Sequence, residues 1–332
     1  MQDTILVLGS NSFSGSHFVA TALRKGHRVL GVSRSPEPHP VFLPYRTDPD
    51  LDLSRFQFAQ YDVNNDLDAI MELVHAEKPA YFVNFASQSM VAESWEHPEH
   101  WFRTNTLSQV LLHDKLRRCD FLKKYVHVST PEVYGSTEGN ITEAAPYNPS
   151  TPYAVSRAAA DMSLMSFYKA YDFPVVFTRA ANVFGPGQQL YRIVPRAALL
   201  FLTGGVLPLH GGGRSVRSFI YIGDVADATL EIARRGAPGN AYHLSTDRYI
   251  SIRDLVHLIA DMTGVDFDTH VRITGDRLGK DAAYTLDCTK VRQELGWTAT
   301  TSLEDGIRRT IDWVRGNLDC LQQQPQAYVH KP

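Results

Sequence analysis

A hydroxyl, a carboxylate and a phenol occur in this chain at spacings that suit proton transfer. Thr130 and Glu132 follow the apolar run Lys124–Val128, so they lie at the carboxyl end of a predicted strand, where ligands bind in open α/β sheets. Tyr153 and Arg157 are four residues apart, which places them on one face of a predicted helix. A cation beside a phenol favours the phenolate and lowers its pKa from about 10. We therefore predict that Tyr153 acts as a base near neutral pH.

A glycine turn joins the first predicted strand to the first predicted helix. The strand covers Thr4–Leu8, and the helix ends at Lys25-Gly26. A strand, turn and helix in this order place backbone N–H groups at a helix N-terminus, where they hold a pyrophosphate; an ordinary tight turn is the alternative. The cofactor-binding residues predicted in the turn are Gly9, Asn11, Ser12, Phe13, Ser14 and Gly15.

The end of the second predicted strand, Arg28–Val32, distinguishes the two nicotinamide dinucleotides. An acid at this place would bind the ribose 2′-hydroxyl of NAD and repel a phosphate. The chain has Ser33 and Arg34 here, and a guanidinium suits the 2′-phosphate of NADP. We predict NADP as the cofactor, with NAD as the alternative if Glu37 serves as the acid.

Further cofactor contacts are expected at the ends of the next strands. Asp62 and Val63 follow the third strand and can contact adenine, although Asp62 also suits a simple turn. Small and polar residues follow the fourth strand and allow the cofactor to pass closely. The cofactor-binding residues predicted beyond the second strand are Asp62, Val63, Phe85, Ala86, Ser87, Gln88, Asn105, Tyr153, Arg157, Ala180 and Val183.

The alternation of strands and helices predicts an α/β protein with a Rossmann-like, doubly wound parallel sheet. We expect residues 1–187 to form a dinucleotide-binding domain that carries the catalytic residues. Residues 188–332 are expected to form a smaller α/β region that mainly binds substrate and interleaves with the first domain. A 20-residue helix after Pro152 is apolar on most faces, which suggests a homodimer or homotetramer built through paired helices.

Composition excludes several classes of protein. The 332 residues are 43% hydrophobic and carry a net charge of -3, so nucleic acid is not an expected partner. The three cysteines are scattered and suggest neither a disulfide framework nor a metal site. No apolar run is long enough to cross a bilayer and no leader is evident, so we expect no membrane partner and a cytoplasmic location.

Several motifs together resemble the extended short-chain dehydrogenase/reductases of the nucleotide-sugar epimerase/dehydratase family, and most closely the GDP-mannose branch of the 4,6-dehydratases. The resemblance covers about residues 3–317. Besides the glycine turn, its carriers are Asp62-Val63, Gln88-Ser89-x-Val91-x-x-Ser94, Ser129-Thr130-x-Glu132-Val133-Tyr134-Gly135, Tyr153-x-x-x-Arg157, Arg179-x-x-Asn182-x-x-Gly185-Pro186, Arg217-Ser218-Phe219-Ile220-Tyr221-x-x-Asp224, Asp276-Arg277-x-Gly279-Lys280-Asp281-x-x-Tyr284 and Glu294-Leu295-Gly296-Trp297.

The resemblance implies a reaction and a role for each catalytic residue. Tyr153 would take the proton of the sugar 4-hydroxyl while Thr130 hydrogen-bonds that oxygen, and hydride would move from C4 to the nicotinamide. Glu132 would then remove the C5 proton, water would leave from C6, and hydride would return to C6. Arg157 completes the predicted catalytic set and stands where the family usually has lysine.

The implied substrate is a nucleotide-diphosphate sugar. Arg217 and Arg277 would clamp its diphosphate with the help of Asn182, because planar guanidinium groups make paired bonds to such oxygens. The predicted substrate-binding residues are Ser89, Thr130, Glu132, Asn182, Val194, Arg196, Arg217 and Arg277.

Three other functions remain open from the sequence. A UDP-glucuronate decarboxylase has a similar Thr-x-Glu strand end, and a 4-epimerase uses the same tyrosine without needing a base at C5. A dinucleotide-binding sensor or scaffold that has lost its chemistry is the alternative outside enzymes. Arg157 and Ser12, which depart from the usual family pattern, are the features that suggest it.

Overall fold

Strands and helices alternate through the first half of the chain, as the sequence predicts. The computed structural model describes residues 3–137, 139–275 and 285–332. Its strands are β1 (Thr4–Leu8), β2 (Arg28–Ser33), β3 (Phe56–Gln60), β4 (Tyr81–Asn84), β5 (Lys124–Val128), β6 (Asn140–Ile141), β7 (Val175–Ala180), β8 (Asn182–Phe184), β9 (Leu207–His210), β10 (Val216–Tyr221), β11 (Ala241–Leu244), β12 (Tyr249–Ser251), β13 (Val271–Thr274) and β14 (Thr285–Leu286).

The helices lie between these strands and in the C-terminal part. They are α1 (Phe13–Arg24), α2 (Pro44–Thr47), α3 (Leu67–Glu77), α4 (Pro98–Phe102), α5 (Ser108–Leu116), α6 (Pro152–Tyr171), α7 (Ile193–Leu202), α8 (Ile222–Arg235), α9 (Ile252–Thr263), α10 (Phe267–His270), α11 (Thr289–Leu295), α12 (Leu303–Gly316) and α13 (Leu318–Gln322). A π-helical segment, Arg103–Leu107, joins α4 to α5. Among the described helices, none combines the length and the apolar character that crossing a bilayer requires.

Seven parallel strands form the central sheet, in the order β11-β7-β5-β4-β1-β2-β3. From β1 the chain adds β2 and β3 on one side and β4, β5 and β7 on the other. The strand order therefore reverses between β1 and β4, and ligands bind outside the carboxyl ends of the strands at such a point. The prediction of a doubly wound Rossmann-like sheet is confirmed.

The centre of the sheet is buried on both faces, which explains why β1 and β4 have nearly continuous buried runs, whereas the edge strand β3 alternates and is partly exposed. Ile5 and Val7 of β1 pack into one hydrophobic core, while Leu6 and Leu8 pack into another on the opposite face. A third core lies in the C-terminal part, among α7, α9 and α12. The C-terminal part contributes to the large sheet, since β11 (residues 241–244) pairs with β7. The domain boundary at residues 187 and 188 stays a prediction.

The predicted helix start at Pro152 is where α6 begins. Thr151 caps this end, since its side-chain oxygen accepts a hydrogen bond from Ala154 N at 3.1 Å. The helix ends at Asp172, which adopts a left-handed conformation with φ of 52°. Tyr153 and Arg157 therefore project from the first turns of a capped helix, where the backbone is held in place.

A buried ion pair fastens α6 to the central sheet. Asp161 of α6 and Arg179 of β7 are 0% and 2% exposed, and their charged atoms lie 2.9 Å apart. Ser129, the residue after β5, donates its hydroxyl to the same Asp161 oxygen at 2.7 Å. Arg179 also donates to the hydroxyls of Tyr134 and Tyr147. One carboxylate thus connects the helix that carries Tyr153 with the strand end that carries the catalytic candidates Thr130 and Glu132.

Replacing Asp161 with alanine should destabilise the protein strongly, because Arg179 would remain charged and buried without its partner. We expect a loss of about 3–5 kcal/mol in the free energy of unfolding, measured by urea denaturation. Asp114→Ala is the matched control, since this exposed carboxylate pairs with Arg117 and Arg118 at the surface. Equal stability of the two variants would contradict the anchoring role of the buried pair.

Candidate active site

The structure brings together the phenol, the hydroxyl and the carboxylate that were predicted from separate segments. Thr130 and Tyr153 are each 8% exposed, and the Thr130 side chain hydrogen-bonds the Tyr153 phenol. Glu132 stands in a 3-10 turn after β5 and is close enough to Tyr153 to raise its pKa electrostatically. The Thr130 hydroxyl oxygen also accepts a hydrogen bond from Glu132 N at 3.3 Å, which fixes the start of this turn. The Tyr153 phenol, the Glu132 carboxylate and the Thr130 hydroxyl therefore share one site.

Arg157 binds the strand end rather than reaching solvent. It is 3% exposed and donates from Nη2 to the carbonyl of Val128, the last residue of β5. His127 Nε2 lies 3.5 Å from the same guanidinium nitrogen. Burial, together with Arg157 and Arg179, lowers the pKa of His127 well below its ordinary value, so this imidazole is neutral at pH 7. The positive charge under the phenol belongs to Arg157.

The expected lowering of the Tyr153 pKa is wrong in sign. Burial raises the pKa of Tyr153 because the phenolate loses its hydration, and this effect exceeds the opposing effect of Arg157. Glu132 raises the pKa further, while the hydrogen bond from Thr130 and the charge of Arg192 lower it. Arg157 therefore limits a rise in the pKa rather than producing a fall below 10.

The glycine turn after β1 has the close packing that a dinucleotide site requires. Gly9 has φ of +84°, and a Cβ there would lie 2.7 Å from Ala86 N in the loop after β4. A Cβ on Gly15 would lie 2.2 Å from the Gly9 carbonyl oxygen. The side chain of Ser12 turns into the loop, where it donates to Gly9 O at 2.7 Å and accepts from Gly15 N at 3.0 Å. Ser12 thus caps α1, and its presence is compatible with a pyrophosphate at this turn.

A groove runs from this turn across the carboxyl ends of β1, β2 and β4, and we call it the dinucleotide groove. The glycine turn and the loop after β4 both line the groove. The residues that line the groove therefore fit a dinucleotide. The predicted cofactor-binding residues that line it are Gly9, Asn11, Ser12, Ser33, Arg34, Asp62, Val63, Phe85, Ala86, Ser87 and Gln88. Residues that sequence reasoning did not assign also line it, namely Gln189, Leu190 and Tyr191 before α7 and Gln324, Pro325, Ala327, Tyr328, Val329 and Lys331 near the C-terminus.

The polar residues at the end of β2 are engaged by other parts of the protein. Ser33 Oγ accepts a hydrogen bond from Asn11 N at 3.0 Å, which ties the glycine turn to this strand. Arg34 donates to the backbone oxygens of Pro332 at 2.6 Å and Lys331 at 3.2 Å. The alternative acid, Glu37, pairs with Arg46 Nη2 at 2.7 Å and also accepts from the Tyr45 hydroxyl.

Two other predicted cofactor residues have structural contacts of their own. Asp62 accepts hydrogen bonds from Asn64 N at 2.9 Å and Asn65 Nδ2 at 3.1 Å, so its carboxylate caps the turn after β3. Asn105 is completely buried behind the groove. Its amide exchanges hydrogen bonds of 2.8 and 3.0 Å with the Gln88 backbone, which holds the loop after β4 in position.

The remaining predicted cofactor residues lie around the same edge of the sheet. Phe13 is 8% exposed at the start of α1, with Ser14 beside it. Ala180 ends β7, and Val183 of β8 accepts a hydrogen bond at its carbonyl from Gln188 Nε2 at 2.8 Å. Their roles toward a cofactor stay predictions.

The predicted substrate residues are distributed over several elements. Asn182 of β8 pairs in register with Phe219 of β10, two residues beyond Arg217. Val194 and Arg196 lie in the first turns of α7, Val194 almost fully buried, and Ser89 is exposed in the loop after β4. Arg277 lies outside the described residues. The segment before α7 also contributes Arg192, whose charge acts on Tyr153.

One group of side chains within the described residues could ligate a metal ion. His97, Glu99 and His100 have donor atoms within 4.8 Å of one another at the start of α4. The expectation that the protein has no metal site rests on sequence spacing alone and stays a prediction.

Removing the charge of Arg157 should raise the Tyr153 pKa further, because this cation opposes the effect of burial. Arg157→Gln is expected to titrate Tyr153 at higher pH than the unaltered protein, so less phenolate is present at any given pH. Arg157→Lys keeps the charge and serves as the control. The measurement is ¹³C NMR of protein labelled at tyrosine Cζ, with the Tyr153 signal identified by its loss in Tyr153→Phe. An unchanged or lowered pKa in Arg157→Gln would show that Arg157 does not act on the phenol.

Comparison with known proteins places this geometry in a family. Residues 6–310 match the family described as GDP-mannose 4,6 dehydratase. A dTDP-glucose 4,6-dehydratase of Streptomyces antibioticus is 35% identical, over 94% of this chain and 92% of the relative. A trifunctional protein of Arabidopsis thaliana, named for UDP-glucose 4,6-dehydratase, 3,5-epimerase and reductase activities, is 30% identical over 94% of this chain. The chain spans about half of that relative, 47% of its length.

A solved structure supports the same assignment. The crystal structure of DesIV, a dTDP-glucose 4,6-dehydratase from Streptomyces venezuelae with NAD and TYD bound, has a TM-score of 0.87 at 30% identity. The match covers 96% of this chain and 98% of that one. The sequence match and the structural match each extend over almost the entire chain. The protein therefore belongs to the GDP-mannose 4,6-dehydratase family, within the extended short-chain dehydrogenase/reductases.

Proposed function

We propose that the protein is a nicotinamide-dependent nucleotide-sugar 4,6-dehydratase that produces a nucleotide-linked 4-keto-6-deoxyhexose. One observation carries the proposal: the Glu132 carboxylate shares a site with the Tyr153 phenol and the Thr130 hydroxyl. A base for C4 oxidation and a second base for C5 deprotonation are then available to one sugar ring. The 4,6-dehydratases of Streptomyces antibioticus and Streptomyces venezuelae, which align over nearly the whole chain, support the proposal.

The first step is removal of the 4-hydroxyl proton. A nicotinamide supplies the hydride acceptor for C4 and the hydride donor for C6. Tyr153 takes the proton of the 4-hydroxyl, and the hydrogen bond from Thr130 favours the phenolate that does so. Because burial raises the Tyr153 pKa, less phenolate is present at a given pH, and Arg157 and Arg192 limit how far the pKa rises.

The second step separates a dehydratase from a 4-epimerase. Once C4 is a ketone, the C5 proton becomes acidic, and the Glu132 carboxylate is the group placed to remove it. The 6-hydroxyl then leaves with a proton as water, which gives an enone, and the enone takes hydride at C6 and a solvent-derived proton at C5. A 4-epimerase has no use for a base at C5, so the position of Glu132 favours dehydration.

For the cofactor, we propose NAD rather than the predicted NADP. Arg34, the residue that suggested NADP, donates to two backbone oxygens of the C-terminal segment. The DesIV structure contains NAD, which supports the same choice. Residues of the glycine turn, the end of β2 and the loop after β4 would hold the cofactor in the dinucleotide groove.

The substrate proposed is a nucleotide-diphosphate hexose. Arg217 and Asn182 lie on neighbouring strands, and Arg196 lies in α7 across the same C-terminal region. Guanidinium groups suit the paired oxygens of a diphosphate, and an amide can complete the contact. DesIV, which was solved with TYD, supports a nucleotide ligand for the protein.

The proposed function predicts a definite product. Purified protein should convert at least one member of a panel of GDP-, dTDP- and UDP-hexoses to a compound lighter by one water, with a ketone at C4 and a methyl group at C6. NMR and mass spectrometry would identify it. Carbon dioxide released from UDP-glucuronate would instead indicate a decarboxylase, and a C4 epimer would indicate an epimerase. Tight cofactor binding without turnover of any sugar would indicate a sensor or scaffold.

We also propose that the protein forms a homodimer through α5 and α6. These helices pack against each other and expose apolar side chains, with Leu111 50% exposed and Met162 62% exposed. Uncovered apolar side chains grouped on neighbouring elements are typical of an interface.

Charge introduced at this surface should weaken the dimer. In Leu111→Arg/Met162→Arg, burying the two guanidinium groups costs free energy, so sedimentation velocity should show monomer at concentrations where the unaltered protein is dimeric. Ile273→Arg, at a 59% exposed apolar side chain of β13, is the control and should remain dimeric. A monomeric unaltered protein, or a double variant that stays dimeric, would contradict this interface.

A further inference from the structure

The last nine residues of the chain return to the dinucleotide groove. After α13, residues 324–332 form a segment that we call the C-terminal strap. Tyr328, Val329 and Lys331 line the groove together with Gly9 and Ser12 of the glycine turn. The strap thus forms one wall of the site proposed for the cofactor.

A histidine fastens the strap to α4. The His330 ring stacks on Trp101 with 5.0 Å between ring centroids and 8° between planes. Its Nε2 lies 2.8 Å from His100 Nδ1, a hydrogen-bond distance. Burial lowers the pKa of His330, and the neighbouring His100 and His97 lower it further. The ring is therefore neutral at pH 7, and its stack on the fully buried Trp101 needs no protonation.

A second attachment lies at the groove itself. Gln88, in the loop after β4, donates from Nε2 to Lys331 O at 2.6 Å. Arg34, just after β2, donates from Nη1 to Pro332 O at 2.6 Å and from Nη2 to Lys331 O at 3.2 Å. The strap therefore bridges two loops that line the groove.

We propose that the strap selects NAD over NADP by occupying Arg34. The end of β2 is where the 2′-substituent of the adenosine ribose lies in this class of fold. Arg34 is a cation there that could bind a 2′-phosphate, and its donors already point to two backbone oxygens of the strap. The strap also brings the Lys331 ammonium to this place, 3.3 Å from Ser35 Oγ. A 2′-phosphate has to displace these tethered acceptors, whereas a 2′-hydroxyl does not. This inference rests on the proposed nicotinamide-dependent function and extends it to cofactor specificity.

A tether makes the strap an effective competitor. Since it is joined to the same chain, its local concentration at Arg34 is on the order of millimolar or higher. Removing it would expose a guanidinium suited to paired bonds with phosphate oxygens.

The test measures cofactor affinity in a variant that ends at Gln323. Protein stripped of cofactor would be titrated with NAD⁺ and with NADP⁺ by isothermal calorimetry. We expect the ratio of NADP⁺ affinity to NAD⁺ affinity to be about tenfold or more higher than in the full chain. One charge-assisted hydrogen bond to the 2′-phosphate is enough to cause a change of this size. Arg34→Ala in the shortened chain should abolish this gain. Arg24→Ala, at an arginine that pairs with Asp48 at 2.6 Å, is the matched control and should keep it.

Point variants keep the inference testable if the shortened chain does not fold. In the full chain, His330→Ala removes the stack on Trp101, and Tyr328→Ala removes the edge-to-face contact with Tyr191, while both leave Arg34 in place. Each should shift the affinity ratio toward NADP⁺, in protein whose thermal melting shows a folded state.

An unchanged ratio in the folded variants would overturn the role of the strap. A gain that survives Arg34→Ala would also overturn it, since the gain would then come from elsewhere. Failure of the proposed function gives a different result: the full chain would bind neither dinucleotide or convert no nucleotide sugar. A full chain that binds NAD⁺ and forms the 4-keto product, with an unchanged ratio in the variants, would reject the strap alone.

Discussion

The contact between Asp161 and Arg179 is the constraint on which the rest of the site depends. Three segments far apart in sequence have to meet for chemistry to occur: the end of β5, the start of α6 and the end of β7. The Asp161 carboxylate binds one group from each of the other two segments, Ser129 Oγ and Arg179 Nη2. Burial makes the arrangement demanding, because an unpaired charge in this place would cost several kcal/mol. The same burial orients Tyr153 toward Thr130 and Glu132 with little freedom to move.

Desolvation is also what sets the reactivity of the site. A phenol exposed to water would be accessible but free to move. The buried Tyr153 is instead fixed in position and has a raised pKa. Arg157 sits between the carbonyl of Val128 and the neutral His127, so its charge is the nearest buried compensation for a phenolate. Replacing the family's usual lysine by arginine keeps a cation that burial cannot neutralise, since a guanidinium holds its proton in proteins. The pKa of Tyr153, the proposed base, therefore depends on a balance between burial and fixed positive charge.

Local sequence patterns predicted the helices and strands well, because the start and end of such an element depend on residues close together in sequence. The apolar run Thr4–Leu8 predicted β1, and Pro152 predicted the start of α6. The π-helical segment between α4 and α5 leaves no simple mark in composition. Topology placed Thr130 at the carboxyl edge of the sheet, but its contact with Tyr153, which lies on α6, is seen only in the structure.

Properties that depend on burial or on distant contacts could not be predicted from the sequence. From the four-residue spacing we predicted a Tyr153 pKa below 10, because the spacing shows the nearby cation. It does not show the loss of hydration that raises the pKa. Arg34 suggested NADP, since a sequence does not show that Lys331, 297 residues away, supplies an acceptor for it. Sequence spacing likewise could not show that the Asn105 amide bonds to the Gln88 backbone.

The central claim is that Tyr153 and Glu132 act on neighbouring carbons of one sugar. The most direct test follows the sugar C5 proton by NMR in D₂O, with a nucleotide hexose that the unaltered protein turns over. The account predicts that Glu132→Gln still oxidises C4 in part, seen as reduced nicotinamide, but no longer exchanges the C5 proton with solvent. Continued exchange at C5 in Glu132→Gln would contradict the account, because another group would then be the base.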